Sequence, residues 1–130
     1  MKIKNSIYLL AFVLLSFTAI QNPWKAPESA KSIKNPVSVK KRKASAKKGA
    51  VIFNKFCIVC HGKKGMGDGP GGKALNPHPA NLTSLRVQSQ KDGEIFWKIT
   101  NGRGPMIKWG PIIKESDRWN LVNYIRTLKN

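Results

Sequence analysis

The stretch Cys57-Ile58-Val59-Cys60-His61 decides how the rest of this 130-residue chain is to be interpreted. It contains both cysteines of the chain and one of its two histidines. With two residues between them, both thiols can face the same edge of a flat ligand, and the next residue can project its imidazole toward the ligand's centre. The five residues therefore predict a site in which two cysteine sulfur atoms and an imidazole nitrogen hold the same flat ligand.

Three simpler uses of these side chains fit less well. A disulfide between Cys57 and Cys60 leaves His61 without a role. A zinc site needs four ligands, and His78 is the single further histidine or cysteine in the chain. A thioredoxin-like redox pair belongs in a strand–helix–strand unit, and the chain has no strand pattern. The motif instead predicts one haem c, with thioethers at Cys57 and Cys60 and with His61 as the proximal iron ligand.

A second axial ligand for the iron has to come from another part of the chain. Met66 lies five residues after His61, too near to pass around the porphyrin to its other face. Met106 lies 45 residues after His61 in a loop with two glycines, where the backbone can come close to a haem. His78, between two prolines, is the alternative and would give bis-histidine ligation with a lower potential. We expect Met106 to be the distal ligand.

The N-terminal residues, 1–21, are predicted to be an export signal or a membrane anchor. Lys2 and Lys4 precede an apolar run of 14 residues, 7–20, and crossing a bilayer takes about 20 residues. The pattern favours a secretory signal peptide, and an uncleaved anchor is the alternative because the cleavage site is poor. Either reading predicts a periplasmic protein, which is soluble or tethered to the cytoplasmic membrane.

Residues 22–43 are predicted to be a basic, disordered linker. Nine basic residues and the single acid Glu28 lie between positions 22 and 48, in a stretch that is rich in Pro, Ser and Ala and has no apolar periodicity. A docking arm for anionic lipid or for an acidic protein is the alternative. The net charge of +18 also invites a nucleic-acid interpretation, but export separates the chain from nucleic acid, so we expect none as a partner.

Residues 44–130 have the composition of a folded domain. Apolar periodicity predicts helices over residues 45–56 and 92–100 and a final helix that begins at the N-cap Ser116. Asp92 is expected to cap the second of these helices.

The loops of this domain point to a large ligand. Residues 62–80 are too rich in glycine and proline for a regular helix, and residues 101–111 form a second loop after the stop signal Gly102. So much loop leaves a domain of this size with a thin core, which a large apolar cofactor would complete. The fold class is therefore all-α, with three to four helices and long loops around one covalently bound haem c.

The domain resembles the mono-haem class I c-type cytochromes over residues 44–130. Gly49 and Phe53 resemble the glycine and aromatic residue of the family's first helix, which crosses the last helix near an aromatic residue, here Tyr124. Gly69-Pro70 resembles the Gly-Pro that follows the haem motif, and Met106 resembles the distal methionine. In the family the proline carbonyl accepts a hydrogen bond from the ligand imidazole. The resemblance therefore implies that Pro70 orients His61.

The resemblance also implies a cytochrome c fold and a function. The chain is expected to carry single electrons in a periplasmic respiratory chain and not to be an enzyme, except as a subunit of a larger oxidoreductase. A haem protein with an open iron site, acting as a sensor or catalytic subunit, is the alternative. Residues 49–130 carry thirteen basic and five acidic residues, a net charge of +8, so the redox partner is expected to present an acidic docking face.

Overall fold

The computed structural model describes residues 23–129, and the expectations for residues 1–21 lie outside this part of the chain. The described part contains no β-strand, as the all-α prediction requires, and a single pair of bridging residues, Arg103 and Met106. Its five α-helices are α1 (Arg42–Phe56), α2 (Ile58–His61), α3 (Leu85–Gln88), α4 (Asp92–Asn101) and α5 (Glu115–Thr127). Three 3-10 turns cover Glu28–Ser32, Val39–Lys41 and Pro70–Gly72. Between residues 23 and 129 no helix is both long and apolar enough to cross a bilayer.

Helices α1 and α5 cross in close contact at Gly49. A Cβ atom at this position would lie 2.0 Å from the backbone oxygen of Asn120 and 2.8 Å from the Cβ of Tyr124, so no side chain fits there. One turn later, the rings of Phe53 and Tyr124 lie 5.1 Å apart. Ser45 Oγ donates a 2.6 Å hydrogen bond to Asn120 Oδ1 at the start of the crossing. The expected crossing of the first and last helices is therefore confirmed.

The core lies between this helix pair and α4. Phe53, Leu121 and Val122 are fully buried, and burying each such side chain is worth about 1.5–3 kcal/mol. The rings of Phe96 on α4 and Trp119 on α5 stack with centroids 4.1 Å apart and planes 10° apart. This packing holds α4 against α5. Other side chains of α1 and α4 line a cavity next to the core.

Two predicted N-cap residues are wrong, by one and two positions. Helix α4 is capped by Lys91, whose N–H donates to Glu94 Oε2 at 2.8 Å, so Asp92 is the first helical residue and not the cap. Helix α5 is preceded by Lys114 and not by Ser116. In both cases the backbone carbonyl of a lysine accepts the first helical hydrogen bonds, and the cap needs no side-chain oxygen. The predicted end of α4 at Gly102 is confirmed.

The segment that was expected to be a disordered linker is ordered from residue 23 onward. Residues 23–41, which we call the strap, contact α4 through the turn Glu28–Ser32 and α1 through the turn Val39–Lys41, and Ala30 is only 1% exposed. A Cβ atom at Gly93 would lie 2.2 Å from the carbonyl oxygen of Ala30. Asn35 Nδ2 lies 2.8 Å from both Asp92 Oδ2 and Asn123 Oδ1. The packed unit therefore includes the strap and does not begin at residue 44.

Candidate haem site

Cys60 and His61 lie on the short helix α2, and Cys57 lies in the turn that joins it to α1. Cys57 separates α1 from α2, and the N–H groups of Cys60 and His61 bond back to its carbonyl oxygen. Gly62 ends α2 with a φ of +77°, and a Cβ atom there would lie 1.9 Å from Asp68 Oδ1. This turn holds Cys57, Cys60 and His61 on the wall of one cavity.

The orientation of the His61 ring is set by the backbone of Ala80. Nδ1 lies 3.1 Å from the carbonyl oxygen of Ala80, and a carbonyl can only accept, so Nδ1 carries the proton. The free lone pair is then on Nε2, where an iron ion can bind it. Burial lowers the pKa of His61, and the hydrogen bond to Ala80 opposes this shift in part. The neutral ring is the form that can ligate a metal.

The expectation that Pro70 orients His61 is corrected by this contact. Pro70 opens a 3-10 turn that packs against the backbone of α2, since Gly69 N–H donates to the Cys60 carbonyl oxygen at 3.1 Å. A Cβ atom at Gly69 would lie 2.5 Å from the carbonyl oxygen of Val59, which shows how closely this turn approaches the helix. The role of Ala80 is not visible in the sequence, because a backbone acceptor has no side-chain signature.

Met106 lies in a tight hairpin that lines the same cavity as His61. The N–H and carbonyl groups of Arg103 and Met106 bond to each other at 3.1 and 3.0 Å. Gly102 has a φ of +61°, and a Cβ atom there would lie 2.5 Å from the carbonyl oxygen of Met106. Gly104, with a φ of +54°, forms the turn itself. The glycines predicted to let this loop approach a ligand therefore have a defined structural role.

The other candidates for the distal ligand do not line the cavity. Met66 is 49% exposed and does not line it. His78 is exposed as well, and its Nδ1 lies 3.2 Å from the carbonyl oxygen of Pro79. Within residues 23–129, His61 and Met106 are the histidine and methionine that line the cavity.

The cavity has a volume of about 470 Å³ and mostly apolar walls. Its aromatic and larger aliphatic lining residues are Trp24, Phe53, Phe56, Val59, Leu75, Leu82, Val87, Ile95, Ile99, Ile107, Trp109, Leu121 and Ile125. Its charged lining residues are Lys25, Arg86, Glu94, Lys98 and Arg103. A flat apolar group with acidic substituents fits these walls, and two thiols, an imidazole and a thioether are the donors that a haem c needs. The residues present therefore fit a haem c.

The chemistry of the cysteines argues against the other uses of the motif. Burial raises the pKa of Cys57 to about 12, and the neighbouring Cys60 adds to the shift. A redox-active cysteine needs the opposite shift, toward the thiolate. In the described part of the chain no group of three or more His, Cys, Asp or Glu side chains is placed to hold a metal ion.

The fold and the site together define a c-type cytochrome domain, a haem-binding and electron-carrying unit. Residues 44–125 match the family model of the cbb3-type cytochrome c oxidase subunit III, and the chain belongs to this family. It is 36% identical over 86 residues to the cbb3-type cytochrome c oxidase subunit FixP of Azorhizobium caulinodans. That alignment covers 65% of this chain and 27% of FixP, so the chain spans about a quarter of this relative's length.

The fold also matches a solved structure with a more distant sequence. A chain of the reducing HAO-like protein complex of Kuenenia stuttgartiensis superimposes with a TM-score of 0.61 at 21% identity. The match covers 75% of this chain and 50% of that one. At this identity the likeness concerns the fold alone.

Proposed function

We propose that this chain carries single electrons as a mono-haem cytochrome, with haem c attached through Cys57 and Cys60 and with His61 and Met106 as the two axial iron ligands. The observation that carries this proposal is that His61 and Met106 line one cavity with both thiols, while His78 and Met66 lie outside it. When bound, the haem supplies a one-electron Fe(III)/Fe(II) couple.

The residues around the site suit a carrier better than a catalyst. With His61 and Met106 both holding the iron, no coordination site would remain for a substrate, so we propose that the chain is not itself an enzyme. Methionine ligation and the apolar walls both raise the reduction potential relative to an exposed bis-histidine haem. The Ala80 carbonyl keeps the His61 ring in one orientation, which limits rearrangement during electron transfer.

The charge of the chain supports a particular kind of redox partner. Four basic residues (Lys25, Arg86, Lys98 and Arg103) and one acid, Glu94, line the cavity. An acidic face on the partner would be drawn to this side, which speeds encounter without tight binding. Because the chain is similar to an oxidase subunit, we propose a respiratory oxidase or reductase as this partner, in the periplasm.

Mass spectrometry and spectroscopy of the full chain test this proposal. We expect the mass of one covalent haem, no binding of CO to the reduced protein, and the weak red absorption band of a ferric iron–thioether bond. Met106→Ala should abolish this band and lower the potential, whereas Met66→Ala, the matched control, should leave both unchanged. Rapid CO binding by the unmodified protein would instead favour the open-site alternative.

A further inference from the structure

The strap reaches the rim of the haem cavity through Trp24. Pro23, Trp24 and Lys25 all line the cavity. The indole of Trp24 meets that of Trp97 edge to face, with centroids 6.5 Å apart and planes at 61°. Trp24 is thus a wall of the site that comes from outside residues 44–125, the part matched by the family model.

Two cations lie beside the ring of Trp24. The Nζ atom of Lys98 lies 5.5 Å from the ring centroid and the guanidinium carbon of Arg103 lies 5.9 Å from it. Distances under about 6 Å allow a cation–π attraction of about 0.5–1 kcal/mol at partly exposed sites. Both cations also line the cavity, and Arg103 is the hairpin partner of Met106. Trp24 therefore packs against the element that carries the proposed distal ligand.

The strap is held to α4 and α5 by contacts outside the cavity. Its middle is held by the buried Ala30 against Gly93, and Asn35 bonds to both α4 and α5. These contacts lie away from the cavity, since neither Ala30 nor Asn35 lines it. Trp24 thus extends from an anchored segment and is supported on one side by Trp97.

We infer that Trp24 is a positioning residue of the haem site, which closes the cavity beside the Arg103–Met106 hairpin and thereby keeps water and external ligands away from the iron. This inference rests on the proposed function, because it assumes that Met106 binds the iron. The indole excludes water by its area, and its contact with Arg103 restrains the hairpin. A drier site disfavours the extra positive charge of Fe(III) and so raises the reduction potential.

The test uses the full-length holoprotein with Trp24→Ala, Trp24→Phe and Val39→Ala. Val39 is the control because it belongs to the same strap and its side chain is 78% exposed. We expect Trp24→Ala to lower the reduction potential and to increase the affinity of the ferric protein for added imidazole by about fivefold, the effect of losing one aromatic contact. Trp24→Phe should keep the reduction potential and the imidazole affinity close to those of the unmodified protein. Val39→Ala should change neither of them.

Two further variants, Asn35→Ala and Met106→Ala, complete the test of Trp24. If Trp24→Ala does not yield holoprotein, Asn35→Ala loosens the strap at its other anchor, and we expect smaller shifts in the same direction. Unchanged potential and unchanged imidazole affinity in the available variant would overturn the inference. A Met106→Ala variant with the spectrum of the unmodified protein would instead overturn the proposed ligation, and this result is read independently of Trp24.

Discussion

The Nδ1 atom of His61 lies 3.1 Å from the carbonyl oxygen of Ala80, and this contact determines which ring nitrogen faces the cavity. The two residues are 19 positions apart in the chain. Backbone hydrogen bonds hold the loop between them in place. Gly67 N–H donates to the His61 carbonyl oxygen at 2.8 Å, and Leu82 N–H, just after Ala80, donates to the Gly65 carbonyl oxygen at 2.7 Å. A glycine-rich loop thus positions the acceptor that orients the proximal ligand.

The first prediction concerns the proton on His61. Because Nδ1–H is buried and donates to Ala80, we expect its proton to exchange with solvent slowly in the haem-bound protein, over hours and not seconds. The measurement is hydrogen–deuterium exchange of the ring N–H signal by NMR. The exposed ring of His78 is the internal reference and should exchange at once. Equally fast exchange of both rings would contradict the assigned hydrogen bond.

The second prediction concerns the hairpin that carries Met106. In Gly102→Ala, the new Cβ would lie 2.5 Å from the carbonyl oxygen of Met106, on a residue with a φ of +61°. We expect the band of the iron–thioether bond to disappear at a markedly lower urea concentration than in the unmodified protein.

Gly104→Ala is the matched control for that variant. Its φ of +54° brings similar backbone strain, but its nearest contact would be Pro77 Cδ at 3.9 Å. The strain alone should cost about 1–2 kcal/mol, and the difference between the two variants measures the clash with the backbone of Met106 and Ile107. Equal effects would show that the contact of Gly102 with Met106 has no influence on ligation.

The third prediction concerns the crossing of α1 and α5. Gly49→Ala places a Cβ 2.0 Å from the Asn120 carbonyl oxygen, so the helices have to move apart. We expect a loss of about 2–3 kcal/mol in the free energy of unfolding, measured by urea denaturation. Val51→Ala, on the exposed face of α1 at 70% exposure, should change it by less than about 0.5 kcal/mol.

The fourth prediction concerns the pH dependence of stability through Asp92. Burial opposes ionisation of this carboxyl, but hydrogen bonds from Asn35 and Arg126, and the charges of Arg126 and Arg42, outweigh it and lower the pKa of Asp92. A carboxyl with a lowered pKa in the folded state contributes stability above its unfolded pKa of about 3.9. That contribution is lost as the pH falls through the folded pKa.

Asp92→Asn should therefore reduce the free energy of unfolding by about 1 kcal/mol at pH 7 and by progressively less in acid. Urea titrations at a series of pH values between neutral and strongly acidic measure this difference. Glu28→Gln removes an exposed ion pair with Lys31 and should have little effect at any pH. A deficit in Asp92→Asn that stays constant with pH would show that the charge of Asp92 does not contribute.

Much of the fold was predictable because it depends on local patterns. The apolar periodicity of the long helices indicated their positions, and α4 and α5 differ from the predicted ranges by one or two residues at their ends. Helix α1 begins at Arg42, earlier than predicted, because the basic residues at its start carry no helix signal of their own. The resemblance to class I cytochromes led correctly to the crossing at Gly49 and Phe53.

The strap shows why part of the packing was not predictable. Ala26, Ala30 and Asn35 supply its contacts through small side chains, a backbone carbonyl and one amide. None of these produces a hydrophobic periodicity, and the surrounding lysines give the segment the composition of a disordered linker. Composition indicates how much apolar surface a segment can bury by itself. The strap is ordered instead by its contacts with α4 and α5, which its composition does not show.

By itself, the sequence determined the chemistry of the site, because Cys57, Cys60 and His61 are adjacent and their spacing is a local property. It also reduced the distal ligand to few candidates, since the chain has three methionines and two histidines. Only the tertiary structure brought Met106 to the cavity of His61, left His78 exposed, gave the orienting carbonyl to Ala80 and placed Trp24 on the rim. These arrangements join residues far apart in the chain through backbone groups and close packing, which no local pattern specifies.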